Sequence, residues 1–436
     1  MISAREVVVT GTGLISPLGR DVPENWENFK AGRTGIERFP GNGRPDSLQY
    51  LGKVKNIDIP EGIPAKLQSQ MRFLNRGSML GFRAAYEAVR TSGMVFLQVP
   101  RERRALYIAS GDLTKVGYEF MHPAIMAVWD GRSGCVDQRR LNSMSLEKVN
   151  PFFLLESICN NAFSFLSAYF EFTGPNTSLA SLSPCGGHAL ELASRRIMQG
   201  EADVALVVGC GNWISDVPLM EMDGLGILSR CRKGEKSYRP FDRHRDGFIA
   251  AEGGAAVFLE SAEGARDRRA KVHAVIKGFG NCMEIAESRR LSVPSSVSVR
   301  SMRMALDEAG LDPGRLAFIC PHGSGTRKGD RSELRSISEL LGDQWPDVPI
   351  CGLKPYTGHM AAASDLAEVI FGIMAAAEGI VPATLNFHQA DEEFSMLNLS
   401  SGFRQTDLRC FLSTSYGILG ESSSTVLEAV DGQVSW

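Results

Sequence analysis

The chain has 436 residues, 43% of them hydrophobic and 22% charged, with a formal net charge of −3. This is the balance of an ordinary soluble globular protein of one large domain or two fused ones, and it carries no global basic field that would argue for nucleic acid. Nine cysteines, at 135, 159, 185, 210, 231, 282, 320, 351 and 410, form no CxxC pair. A zinc or redox site is therefore not expected, and buried free thiols in a reducing cytoplasm are.

In chain order, VVVTGTGLISPLG (7–19) reads as a buried strand entering a Gly-rich turn. Its glycines do not follow the GxGxxG spacing and do not open a helix, so a nucleotide fold is not indicated. The N-terminus lacks the charged head and apolar core of a signal peptide. A helix is expected over 76–92, a strand at ALYIASG (105–111), a loop-rich excursion over 112–150 and a buried apolar helix over 152–173. A helix follows over about 186–200, then strands at 203–209, 255–260 and 271–280. The second half repeats the rhythm: helices near 297–310, 331–341 and 361–378, strands at LAFIC (316–320), VPICGLK (348–354), 409–416 and 424–430. The apolar run VIFGIMAAAEGIV is broken by Glu and Gly and is too short to span a bilayer. Alternating strands and helices in both halves predict an α/β fold with the change of half near 262–270.

Several residues could carry chemistry. Ser183 ends an apolar stretch just before a helix, where free backbone N–H groups favour developing negative charge. It reads equally as an ordinary helix cap. Cys185, two residues on, is a rival nucleophile or a buried thiol. His322 in CPHGSGT and His359 in YTGHMAAA sit in Gly-rich turns after strands, where α/β sites tend to lie. His359 is read as starting a helix, whose positive end would lower its pKa and leave a neutral ring. Two neutral imidazoles can donate N–H bonds to an oxyanion or enolate. Lys354 precedes His359 by five residues, and Asp330 and Glu333 are placed to suit a helix dipole or to neutralise a buried Lys354. The run RPFDRHRDGFIAAEGG (239–254) reads as a salt-bridged loop returning to the core. The clusters Arg101, Arg103, Arg104 and Arg139, Arg140 read as solvated surface or as a dock for an acidic partner.

These motifs occur together and in order. The opening strand, GPNTSLASLSPCGGHAL, RPFDRHRDGF with AEGG, PHGSGTRKGD and LKPYTGHMAAAS resemble, from about residue 6 to 430, the β-ketoacyl-acyl-carrier-protein synthases of elongating, fatty-acid and aromatic-polyketide type, including their chain-length-factor partners. The resemblance implies an α/β thiolase-like fold, two similar halves in five αβαβα layers, divided here as 1–262 and 263–436. It implies acyl carrier protein as partner, a homodimer or paired heterodimer, and no cofactor or metal. The family's nucleophilic cysteine falls on Ser183. The histidine roles fall on His322 and His359, the lysine role on Lys354, and acidic support on Asp330 and Glu333, with Thr326 of the same motif as a further supporting residue. The family's Gly-Phe-Gly-Gly gate reads YGILGESS, so Ile418 takes the gate position.

Serine changes the expected chemistry. Its hydroxyl is far less acidic than a thiol and needs a general base, which His322 or His359 could supply. Its acyl oxoester is a poorer electrophile for a carbanion than a thioester, so condensation should slow. Transfer to an amine, alcohol or water then competes. A non-condensing partner subunit is the other reading; a pure scaffold has no chemical need for both histidines.

Overall fold

The computed structural model describes residues 6–40, 45–95, 98–110, 120–130, 136–153, 161–180, 183–287, 292–344 and 346–430. Nine strands form one mixed sheet. They are β1 (Val7–Ile15), β2 (Arg104–Ser110), β3 (Asn176–Ala180), β4 (Val204–Asn212), β5 (Glu252–Ser261), β6 (Ala274–Met283), β7 (Leu316–Cys320), β8 (Cys410–Tyr416) and β9 (Glu421–Ala429). Their order is β3-β2-β4-β5-β1-β6-β9-β8-β7.

That order is a repeat. In the first half β2 runs parallel to β4, while β4–β5 and β5–β1 are antiparallel. In the second half β7 runs parallel to β8, while β8–β9 and β9–β6 are antiparallel. The halves meet where Val7, Val8 and Val9 pair antiparallel with Ile276, Val275 and Ala274. β3 flanks β2 in parallel, and in the second half the same place beside β7 is held only by the bridge Ile319–Ile350. The strand expected over 348–354 is reduced to bridges from Ile350 to Ile319 on one side and Leu399 on the other, and Lys354–Thr357 forms a single helical turn instead.

Six helices set the layers: α1 (Arg76–Ser92), α2 (Asn161–Phe170), α3 (Cys185–Met198), α4 (Val299–Ala309), α5 (Arg327–Leu341) and α6 (Ala363–Ala377). α1 packs outside β1, β5 and β4, with α2 against it, and α4 packs outside β6 and β9, with α5 against it. α3 and α6 touch each other and strands of both halves, which makes them the middle layer. The result is the five-layered αβαβα arrangement. Position explains composition. All of α6 from Ala363 to Ala376 is buried, so its sequence is apolar but for Ser364, Asp365 and Glu368. β1 is buried along its whole length and shows no apolar–polar alternation; Gly11 and Gly13 lie inside the strand, where α1 leaves no room for a side chain, and not in the expected turn. α1 has the expected bounds because Asn75 caps it by accepting from Ser78 N and Gly93 ends it at φ +63°.

Within 112–150 the described residues hold two short helices, His122–Val128 and Gln138–Lys148, where a loop-rich excursion was expected. Of the helix expected over 152–173, the described part is α2; Leu154, Leu155 and Ile158 lie outside the described residues. Cys135 and Cys159 also lie outside them. Of the other cysteines, Cys185, Cys210, Cys231, Cys320 and Cys351 are buried and Cys282 and Cys410 half-buried. No described helix is long and apolar enough to cross a membrane.

Candidate active site

The site gathers at the C-terminal ends of β3, β7 and β8, where a sheet leaves room for polar side chains. β7 leads directly into His322. Glu333, in the second turn of α5, accepts from His322 N at 2.6 Å and from Gly323 N at 2.9 Å. Asp330 accepts from Gly325 N at 2.8 Å, Ser324 Oγ at 3.1 Å and Phe241 N at 2.7 Å, with Arg245 Nε at 3.5 Å. Thr326 caps α5 by accepting from Gly329 N, which is why the helix starts at 327 rather than the expected 331. Burial pushes the Glu333 carboxyl up to about 8 and raises that of Asp330.

These two carboxyls therefore hold the His322–Thr326 turn, and the expectation that they neutralise Lys354 is corrected. Lys354 is 1% exposed, and its Nζ donates to His322 O at 2.6 Å and to both Glu368 oxygens at 2.8 and 2.9 Å. The reason is geometric: Lys354 opens its one-turn helix facing the second turn of α6, while Asp330 and Glu333 are already taken by backbone N–H groups. Burial pushes Glu368 up to about 8 while Lys354 pulls it back, and both its oxygens at bonding distance mark an ion pair. Sequence reasoning missed Glu368. Its signal was a lone carboxylate inside the apolar LAEVIFGI, which a buried helix retains only beside a cation.

His359 lies against Trp213 and Phe248, with ring centroids at 4.7 and 5.0 Å, and His322 against Tyr416 at 4.6 Å. The two imidazoles are 5.1 Å apart and inclined at 67°. His359 does not start a helix. It bridges to Ala250, donating to Ile249 O and accepting from Ala251 N, and α6 begins four residues later. Its pKa is still held well below the ordinary imidazole value, first by burial and then by Lys354, rather than by a helix end. Burial, Lys354 and His359 do the same to His322. Both rings are neutral at neutral pH, and neither Nδ1 has a hydrogen-bond partner among the described residues.

Ser183 is 3% exposed and its Oγ likewise has no partner. It does not cap α3: Pro184 occupies the cap position and no side chain closes it. In the first turn of α3, Gly186 N donates at 3.0 Å to Asp365 of α6, which burial pushes up to about 6. Gly186 permits this approach, since a methyl group there would lie 2.7 Å from Asp365 Cβ. The helix end that was expected to favour an anion at Ser183 is thus already facing a carboxyl. Cys185 is buried in the core cluster with Ala362 and Leu366, away from the cavity.

A cavity of about 900 Å³ brings together Ser183, His322, His359, Thr326 and Ile418. Lys354, Asp330 and Glu333 lie behind it as support. Ile418 is half-buried, in the turn between β8 and β9. Gly417 beside it has no room for a side chain, because a methyl group would overlap Ser183 O and the Glu421 carboxylate. The gate turn is thereby packed on the peptide of Ser183. Arg230, Arg327 and Lys328 line the mouth. The arginines singled out by sequence are elsewhere: Arg101 pairs with Glu171, Arg103 with Asp203, and Arg104 is buried against Val99 O, while Arg139 and Arg140 remain exposed. The 239–254 run is the salt-bridged return loop expected of it, with Arg245 between Asp330 and Asp391.

This fold and this pair of buried imidazoles over a deep cavity define a condensing-enzyme architecture of the thiolase type. Residues 4–265 match the family model described as "Beta-ketoacyl synthase, N-terminal domain", and residues 273–388 match "Beta-ketoacyl synthase, C-terminal domain". The chain belongs to the β-ketoacyl synthase family. It is similar to the 3-oxoacyl-[acyl-carrier-protein] synthase 2 of Coxiella burnetii, at 28% identity over 98% of this chain and 99% of that one. Among solved structures it is similar to a ketosynthase (AntDE) in complex with its type II polyketide acyl-carrier protein (AntF), at TM-score 0.82 and 23% identity, covering 98% of this chain and 100% of that one. The ishigamide ketosynthase/chain length factor is similar to the same degree, with TM-score 0.82, 23% identity and the same coverage.

Proposed function

We propose that the protein is a ketosynthase-type acyltransferase that takes acyl groups from acyl carrier protein onto Ser183. The observation that carries this is the partnerless Ser183 Oγ facing the same cavity as two neutral imidazoles. In the first step Ser183 Oγ attacks the thioester carbonyl and gives its proton to His322 or His359. The C–S bond breaks, and the leaving thiolate takes that proton back. The other imidazole donates N–H to the oxyanion. In the second step a malonyl group loses CO₂, the enolate is held by the same imidazoles, and it displaces Ser183 from the acyl carbon, the leaving serine oxygen taking a proton from solvent through an imidazole; an alcohol, amine or water can act in place of the enolate and supply that proton itself. Lys354 and Glu368 keep His322 in position from behind.

The carrier is the partner in the solved relative, and the cationic mouth at Arg230, Arg327 and Lys328 suits an acidic one. We further propose that 1–262 and 263–436 are the two similar halves, a reading supported by the repeated strand order. Pairing with a like or related chain is proposed through β3, a sheet edge with no strand beyond it among the described residues.

The test is condensation of acyl and malonyl carrier proteins by the wild-type chain and by Ser183→Cys. A slow wild-type rate that rises by an order of magnitude or more in Ser183→Cys is expected, because the thioester is the better electrophile. No acyl turnover in either, to carbon, oxygen or nitrogen acceptors, would mean a non-condensing partner subunit.

A further inference from the structure

A second cavity, of about 470 Å³, opens beside the mouth of the first and shares Arg230, Asp246 and Arg327 with it. Its remaining wall carries Arg232, Lys233, Arg239 and His244. Its one carboxylate is already occupied: Asp246 accepts from Ser229 Oγ at 2.7 Å and from Arg230 N at 3.3 Å. Arg239 is only 8% exposed, yet its Nε has no hydrogen-bond partner. Asp242, three residues on, gives its oxygens to the N–H groups of His244, His388 and Gln389. Among the described residues no ion pair engages the side chains of Arg232, Lys233 or Arg327. Arg230 pairs with Asp223 at 3.2 Å, but Arg232, Lys233 and Arg327 do not pair, and a buried guanidinium with an unused donor beside three such cations is a site that lacks its anion.

We propose that this cavity is a polyanion subsite for the phosphates of free coenzyme A, making acyl-CoA thioesters a second class of donor to Ser183. The donor role rests on the acyl-transfer reading above; the binding does not. A carrier arm brings one phosphodiester, whereas coenzyme A brings a diphosphate and a 3′-phosphate, about four negative charges. With Arg230 paired to Asp223, four lysine and arginine side chains remain against the one Asp246 carboxylate, still more than one phosphodiester neutralises. The side chains of a folded acidic partner also reach poorly into a concave site to a guanidinium so deeply placed. The continuity of the two cavities matters equally. Pro218, Met222, Leu225 and Val293 give the first an apolar lining, suited to a pantetheine arm whose phosphates would emerge beside Arg230 and Arg327. In the transfer Ser183 Oγ forms its bond to the acyl carbon, the C–S bond breaks, and the serine proton passes through an imidazole to the thiolate of coenzyme A.

Isothermal titration of the full chain with coenzyme A, dephospho-coenzyme A and 4′-phosphopantetheine tests this. Coenzyme A should bind at least about tenfold more tightly than 4′-phosphopantetheine, one charge-assisted hydrogen bond being worth that much, with dephospho-coenzyme A between them. The preference should narrow with added salt. It should vanish in the surface variant Arg232→Ala/Lys233→Ala and in Arg239→Gln, each checked by its melting temperature. Equal binding of coenzyme A and 4′-phosphopantetheine would overturn the proposal and leave the cavity to a carrier phosphodiester. A preference that survives in both folded variants would overturn it as well. Repeating the titration in Ser183→Ala separates the two readings, since coenzyme A should still bind there even if Ser183 never accepts an acyl group.

Discussion

Replacing Glu333 by Gln keeps the shape of the side chain and exchanges one acceptor oxygen for an NH₂ group. Both carboxylate oxygens are in use, one on His322 N at 2.6 Å and the other on Gly323 N at 2.9 Å, in a site with 0% exposure. The amide can satisfy only one of these donors and turns its own N–H groups toward the other. An unsatisfied buried donor costs about 1–3 kcal/mol. With an unfolding entropy near 0.9 kcal/mol/K for a chain of 436 residues, the melting temperature should fall by about 1–3 °C. Activity should fall further than that, because the relaxed turn carries His322, and a misplacement of about 1 Å can cost on the order of 100-fold. Calorimetry and single-turnover acyl transfer on the same preparation measure the two effects. An unchanged melting temperature with unchanged transfer would refute the assignment of Glu333 to the His322 turn. A loss of stability reversed by adding Lys354→Met would restore the rejected idea that Glu333 is the lysine's counter-ion.

Lys354→Met should cost about 3–5 kcal/mol by stranding the buried Glu368, and Lys354→Met/Glu368→Met should recover most of it in chemical denaturation. Because both imidazoles are held well below their ordinary value, the rate of acyl transfer should stay flat from neutral pH down through 6; an acid limb centred near 6.5 would contradict this. Burial raises the Glu87 carboxyl to about 7, above its unfolded value. It binds its proton more tightly folded than unfolded, so its contribution is full below about 4.5 and is lost as pH rises to 7. Glu87→Gln should therefore remove a fall of up to about 1.4 kcal/mol per pH unit across that window, seen by comparing denaturation curves of the two proteins.

Much of this site was legible because its residues sit at punctuated places. Ser183 and His322 each follow a short apolar run and precede glycines, His359 follows Gly358 in a turn, and the structure brings all three to one cavity. The apolar run over 152–173 was equally plain, and in its described part, α2, Ala162, Phe165, Leu166 and Phe170 are buried. What was hidden depends on tertiary approach. Glu368 meets Lys354 only through the fold. The competition between Asp365 and Ser183 for the end of α3 arises because two middle-layer helices touch at Gly186. The strand expected around Ile350 has the right composition, but only Ile350 pairs, with Ile319 on one side and Leu399 on the other, so no ladder extends from it. The cation cluster at Arg230, Arg232 and Arg327 joins segments nearly a hundred residues apart, whereas Arg101, Arg103 and Arg104, adjacent in sequence, are used up locally by Glu171, Asp203 and backbone carbonyls.

The account turns on whether Ser183 receives the acyl group. Intact-mass spectrometry after incubation with an acyl carrier protein thioester, followed by peptide mapping, measures this directly. The predicted result is one added acyl mass on the peptide containing Ser183, retained in Cys185→Ala and absent in Ser183→Ala. An adduct that persists in Ser183→Ala, or no adduct in any of the three, would contradict it.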